Sequence, residues 1–389
     1  MDRRSFLRGM CVGGVATFAM PTVRFAQVPG QGKLVFVLLR GGFDGLAAVV
    51  PVGDPSYEGL RGRMAFSRQE VSMLDGDFGL ASGLTPWTTL WEENELVALH
   101  AMSIPYRTRS HFDGQAILET GLARPEGSSD GWLNRLLQVM DGDRAGIAVA
   151  AGMPRSLSGA HPVSSWSPAQ LGAVDDGYLD RLGVLYRSDP ALHDRFEAAL
   201  QLRDVAPEMD DMNGGGRRGP GRVDSIMTAA ARFLREPDGP NVAALEFSGW
   251  DTHANQGMQG GQLDRLLAQL AEGVLTFRRE MGQAWADTTV VVMTEFGRTA
   301  RPNGTQGTDH GTGGAGFVIG PGVARSAVVA DWPGLSDRAL YQGRDLEPTL
   351  DTRAVLKGVI AGTFDLTSSQ VNRVFPGSDS VRGLWDVMW

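Results

Sequence analysis

Lys33-Leu34-Val35-Phe36-Val37-Leu38-Leu39 is apolar at every position after its first residue and ends at Arg40-Gly41-Gly42. A strand with one face in water alternates apolar and polar residues. An unbroken apolar run therefore predicts a central strand buried on both faces, as in a parallel sheet. Similar runs recur at residues 96–101, 146–151, 242–247, 288–293 and 316–319. Helical periodicity lies between them. It is clearest over residues 262–285, where Leu263, Leu266, Leu267, Leu270, Val274, Phe277 and Met281 recur at three- and four-residue steps. Strand, helix, strand order implies crossover connections, and hence an α/β fold: a three-layer α/β/α sandwich with a mostly parallel central sheet. Ligands in such sheets bind at the carboxyl ends of the strands. Asp44, Asp251 and Glu295 each follow one of the apolar runs.

Residues 1–27 read as an address rather than as fold. The pair Arg3-Arg4, followed by Ser5-Phe6-Leu7 and a weakly apolar run to Met20, predicts a twin-arginine signal, with Ala26 as its last residue before Gln27. The expected partner is the twin-arginine export machinery, and the destination is the periplasm or the exterior. Cys11, the single cysteine, lies inside that signal. The remaining residues, about 360, then contain no disulfide and depend on core burial for stability. A net charge of -9 and a pI near 5.2 argue against a nucleic-acid partner, which needs clustered positive charge. Beyond the signal no run has the length of a membrane span, so the mature form is expected to have none. Residues 28–389 read as one domain, interrupted near 204–222 by a flexible insertion around Asn213-Gly214-Gly215-Gly216. Asp351 is the expected N-cap of a helix through Ala361, with Gly362 as its stop.

Several polar motifs sit in loops after the strand-like runs. Asp251 and His253 are two apart, so in an extended segment both side chains project to one side and can hold one ion. His310 lies in the glycine-rich Thr308-Asp309-His310-Gly311. Imidazole and carboxylate gathered at loop tips suit a divalent cation. The competing reading is a hydrogen-bonded loop network in which His253 and His310 cap carbonyls. His100, His161 and His193 lack such company and read as structural or exposed. Arg107, Arg109 and Ser110 stand at the start of an expected helix over residues 111–122, a natural anion site, with Arg40 and Arg298 beside other motifs. Ser110 reads equally well as a simple N-cap.

Taken together, Arg40 to Gly45, Ser110-His111-Phe112-Asp113, Trp250-Asp251-Thr252-His253, Thr294 to Arg298 and Asp309-His310-Gly311 resemble the exported family called DUF1501 over nearly the whole mature chain. That family is similar to the alkaline phosphatase and sulfatase superfamily. The resemblance implies an alkaline phosphatase-like sandwich with one or two divalent ions (Zn, Mn or Ca) at the strand ends. It implies metal ligands at Asp44, Asp251, His253, Asp309 and His310. Counting back from Thr120-Gly121 puts His111 at the superfamily's nucleophile position, with Ser110 one residue before it. Where the superfamily has Asp-His or Asp-Asn, this chain has Phe296-Gly297, and Glu295 comes one residue early. That departure puts one of two metal centres in question. Glu295 is then a ligand or a general base, and His111 a ligand, a nucleophile or an acid/base.

The leading expectation is an exported metal-dependent hydrolase of a phosphate or sulfate ester. Its substrate would be an anionic small molecule or polymer. His111, Ser110 and Glu295 are its catalytic candidates, and Arg40, Arg107, Arg109 and Arg298 its substrate-binding candidates. The alternative is a metal-binding or assembly protein that keeps a hydrolase-like fold without turnover. A metal-dependent isomerase or mutase is the third.

Overall fold

The structure, a computed structural model, describes residues 32–127, 129–140, 144–167 and 221–384, with isolated positions between 182 and 197. The expected export signal and residues 204–220 of the expected glycine-rich insertion lie outside the described residues.

The strands are β1 (Lys33–Arg40), β2 (Val49–Val50), β3 (Ser72–Met73), β4 (Gly79–Leu80), β5 (Leu96–Ser103), β6 (Gly146–Val149), β7 (Ser164–Trp166), β8 (Val242–Ser248), β9 (Thr288–Met293), β10 (Gly314–Ile319), β11 (Ala327–Val329) and β12 (Leu350–Asp351). The α-helices that lie wholly among the described residues are α1 (Tyr57–Arg61), α2 (Thr88–Glu92), α3 (His111–Thr120), α4 (Trp132–Val139), α5 (Gly221–Arg235), α6 (Gln262–Met281), α7 (Thr352–Phe364) and α8 (Ser368–Val374). All six apolar runs become strands of one nine-stranded sheet, in the order β11-β5-β10-β9-β1-β8-β6-β7 with β12 also paired to β5. Strands β2, β4 and β3 form a small separate sheet.

Neighbouring strands are parallel throughout the large sheet except at β10, which is antiparallel to both β9 and β5. A parallel return needs a crossover long enough to carry the chain back along the sheet. The β9–β10 connection contains no helix, so the chain turns straight back beside β9. The apolar composition of residues 316–319 fixes burial but not direction.

β1 explains why its sequence does not alternate. Val35, Val37 and Leu39 face a core shared with Met227 and Phe233 of α5 and Leu267, Leu270 and Phe277 of α6. Leu34, Phe36 and Leu38 face an opposite core with Leu136 of α4 and Val355, Val359 and Ile360 of α7. Helices on both faces make the predicted three-layer α/β/α sandwich. Each such side chain, wholly buried, contributes about 1.5–3 kcal/mol. The periodicity of α6 persists to residue 285, but the α-helix ends at Met281. Gly282 turns left-handed at φ 54° and the chain continues as a 3-10 turn to Asp287. At α7 the Asp351 side chain accepts from Arg353 N at the N-cap, as expected. Gly362 does not stop this helix. It lies buried within it, and the left-handed residue that ends it is Asp365. Among the described residues, no helix is long and apolar enough to cross a membrane.

Candidate metal centre

The carboxyl ends of β1, β5, β8 and β9 share one edge of the sheet, and β10, running the other way, brings its amino end to the same edge. His111 opens α3 beyond β5, Asp251 and His253 follow β8, Glu295 follows β9, and His310 precedes β10. Gly41, at φ 128°, lets the chain leaving β1 pass directly under the Asp251 loop: a Cβ here would stand 2.4 Å from Asp251 N. Trp250 is buried edge-on against Phe43, with ring centroids 5.9 Å apart, and so anchors the loop. His310 is placed by a short ladder: Gly311 N to Gly297 O at 2.8 Å, Gly297 N to Thr312 O at 3.0 Å and Thr299 N to Asp309 O at 2.9 Å. This ladder sets His310 opposite Arg298.

Four side chains converge. His111 Nε2 lies 2.9 Å from His310 Nε2 and 3.4 Å from Asp251 Oδ2, and His310 Nε2 lies 3.3 Å from Asp251 Oδ1. The ligand atoms of these three all fall within 4.8 Å of one another. His253 Nε2 joins at 2.9 Å from His310 Nε2 and 3.0 Å from Asp251 Oδ1. Donors about 2.0 Å from one tetrahedral ion are about 3.3 Å apart, so this spacing suits a zinc-sized cation. Asp251 and His253 are 40% and 44% exposed, which leaves the cluster open to solvent.

The partners on the other ring nitrogen decide what the cluster can bind. His111 Nδ1 lies 2.7 Å from Glu295 Oε1, His310 Nδ1 3.1 Å from Arg109 O, and His253 Nδ1 3.1 Å from Asp309 Oδ1. A carbonyl and ionised carboxylates only accept, so each Nδ1 must donate and each neutral ring presents an Nε2 lone pair to the others. Three lone pairs and a carboxylate cannot satisfy one another. A cation can satisfy His111, Asp251 and His310 together, with His253 beside them at the edge of the cluster, and carboxylate or carbonyl groups behind ligating histidines are the usual support. The donor set fits a divalent metal.

The electrostatics agree. The hydrogen bond that His111 donates to Glu295 holds the imidazole above its ordinary range, against burial. Burial, and then the neighbouring His111, push His310 down. Burial would raise Asp251, but the Arg298 guanidinium, 2.6 Å from Oδ1, outweighs it and keeps the carboxyl low. Burial would likewise raise Glu295, yet bonds from His111, Gln115 and Gly41 hold it below the usual carboxylate range. The Asn303 amide, ahead of opposing burial and then His253, keeps Asp309 low.

Several expected site residues are placed elsewhere. Asp44 is 1% exposed and is not in the cluster. Its Oδ2 pairs with Arg61 and accepts Gln256 Nε2 at 2.7 Å, so its charge is spent on a buried ion pair. Asp309 turns to His253 Nδ1 rather than to the ion position. Glu295 is fully buried, with Oε1 accepting from Gly41 N, Gln115 and His111 and Oε2 from Thr294. These contacts give it a supporting position, not that of a ligand or general base. Ser110 occupies the N-cap position of α3 without a side-chain capping bond. Arg40 binds Gln115, Glu119 and Glu246, and Arg107 binds Ser103 Oγ and the carbonyls of Ile104 and Tyr106. Arg109 clamps Asp345 at 2.7–2.8 Å while its left-handed backbone, φ 65°, turns its carbonyl to His310. Phe296 packs its ring 4.9 Å from His111 and 5.3 Å from His310.

Sequence reasoning missed Gln115, Asn303, Gln256 and Arg61. Gln115 could have been found, since it is four residues after His111 and therefore on the same face of one helix. Asn303 joins His253 O, at 2.8 Å, to Asp309 Oδ1, at 3.0 Å. Gln256 accepts from Thr252 and Thr308, and so binds the two histidine loops to Asp44. Arg61 lies in no recognisable motif.

Solved structures similar to this chain include Ps i-CgsB in complex with k-i-k-neocarrahexaose, at 8% identity over 91% of this chain and 78% of that one, TM-score 0.42. A protein in the alkaline phosphatase superfamily from Vibrio parahaemolyticus is 13% identical over 84% of this chain and 71% of that one, TM-score 0.35. Phosphonate monoester hydrolase of Agrobacterium radiobacter is 13% identical over 79% and 73%, TM-score 0.35. No curated protein matches the chain. The family model described as a protein of unknown function (DUF1501) matches residues 85–375, and the chain belongs to that family.

Proposed function

We propose that this chain is an exported metal-dependent hydrolase of a phosphate or sulfate ester, working with one divalent ion. The observation that carries this reading is the convergence of the His111, His253 and His310 Nε2 atoms on the Asp251 carboxylate, each ring having its Nδ1 proton committed to an acceptor. Phe296 beside His111 and His310 supports one ion rather than two. An ion held there would polarise an ester oxygen and acidify water. Glu295, Arg109 O and Asp309 hold the three rings in the ligating tautomer, and Arg298 orients Asp251. His111 is then a ligand, and water rather than a side chain is the attacking group.

One observation favours the non-catalytic reading. Arg109 and Arg298, expected to neutralise an anionic group, are already paired with Asp345 and Asp251. Metal analysis of the purified protein, followed by assay against aryl phosphates, phosphodiesters and sulfates, separates the readings. About one ion per chain is expected, lost in His310→Ala and Asp251→Ala but kept in Ser110→Ala. Chelation should lower the melting temperature, since an ion at a hundredfold excess over its Kd stabilises the fold by about 2.7 kcal/mol. Retained metal without turnover on any ester points to the binding protein. If no metal binds and chelation leaves the melting temperature unchanged, the centre itself is misread.

A further inference from the structure

Behind the ligands runs a chain of hydrogen bonds that the metal reading does not itself require. Gln115 Nε2 donates to Glu295 Oε1 at 3.0 Å, and the same oxygen lies 2.7 Å from His111 Nδ1. On its other side, Gln115 Oε1 accepts from Arg40 Nη1 at 2.5 Å. A guanidinium has donors and no acceptor, so Arg40 decides which end of the amide faces Glu295. Arg40 is itself held by Glu119, at 3.2 Å, and by Glu246 on β8. His111, Gln115 and Glu119 stand at four-residue steps along one face of α3, so a single helix carries the imidazole, the amide and the carboxylate that anchors the arginine.

We propose that Gln115 is a positioning residue for the metal centre: oriented by Arg40, it fixes the Glu295 carboxylate, which holds His111 as the Nδ1–H tautomer with Nε2 free for the ion. This rests on the metal reading for its purpose but not for its geometry. Glu295 is wholly buried, so losing a donor leaves its carboxylate less well satisfied than it would be at the surface. Without the amide bond the carboxylate keeps Gly41 N and His111 on Oε1 and Thr294 on Oε2, but the oxygen that accepts the His111 Nδ1 proton is held by one donor fewer. His111 then samples the tautomer with hydrogen on Nε2, which cannot ligate.

The test uses the mature protein and two substitutions. Gln115→Met keeps the length and packing of the side chain and removes both bonds. Gln115→Glu keeps an acceptor for Arg40 and, in its ionised form, cannot donate to Glu295. With 15N-labelled histidine and no metal, at about pH 9 where ordinary imidazoles are neutral, wild-type His111 should be almost wholly the Nδ1–H form. Both variants should show a mixture. In competition with a chelator, both should bind Co(II) about 10–100-fold more weakly than wild type, the usual effect of losing a group behind a ligand. Their metal-free melting temperatures, by contrast, should stay within a few degrees of the wild-type value. Unchanged tautomer populations in both variants overturn the proposal. A wild-type protein that binds no Co(II) sinks the metal reading instead, and the tautomer measurement still decides the role of Gln115.

Discussion

His100 shows how one residue can resemble a ligand in composition and be something else in place. It lies on β5 with no exposed surface, donates from Nε2 to Val49 O at 3.0 Å, and accepts Ala101 N at Nδ1 at 2.8 Å. Both nitrogens are satisfied only by the neutral ring, and burial pushes its pKa down to about 4. The unfolded chain takes up that proton near the ordinary value of about 6.5, so it binds more protons than the native state between these limits. Stability contributed by the neutral ring is present above about pH 6.5 and is lost as pH falls toward 4, at about 1.4 kcal/mol per pH unit. Urea unfolding across this window should show the slope, and His100→Gln should reduce it. An equally steep loss in the variant would place the acid sensitivity elsewhere. Sequence alone could isolate His100 from the loop histidines, because it sits inside an apolar run. The same reasoning could not separate Asp44 from Asp251. Both follow strands, and only the fold shows that Arg61 and Gln256 consume the first while the second faces open histidines.

At the level of elements, what the sequence made legible follows from the length of the signal. Six apolar runs of four or more residues were readable as strands. β7, β11 and β12 are two or three residues long and carry no periodicity to read. The direction of β10 was not legible either, since strand composition is blind to direction and the deciding fact is the absence of a helix before it. The Thr120-Gly121 pair, used only as a register mark, has a structural reason. Gly121 caps α3 in the left-handed region at φ 68°, and a Cβ there would lie 2.6 Å from the ring of Phe375, which stacks on Trp132. Gly121→Ala adds left-handed strain to overpacking of a filled core, so it should cost about 2–4 kcal/mol. Thermal unfolding checks this, with a shift of several degrees expected. A neutral result would mean that the end of α3 can move away from Phe375.

Across the whole molecule, the paired arginines are the feature from which export is expected. Replacing Arg3 and Arg4 together with Lys keeps the charge and removes the pair that the twin-arginine receptor reads, so the precursor should accumulate in the cytoplasm. Cell fractionation decides it, and undiminished export would exclude that route. The cluster at the sheet edge bears on the same question. His111 and His310 are 199 residues apart, and His310 lies 59 residues from Asp251. They meet only after β5, β8 and β10 have taken their places, so the ligand set is assembled by folding rather than by any short stretch of the chain. If the chain crosses the membrane already folded, the choice of metal is made before it crosses. The first ion bound then comes from the cytoplasm in which the chain folded, and because the cluster is open to solvent it is kept afterwards only as far as its exchange is slow.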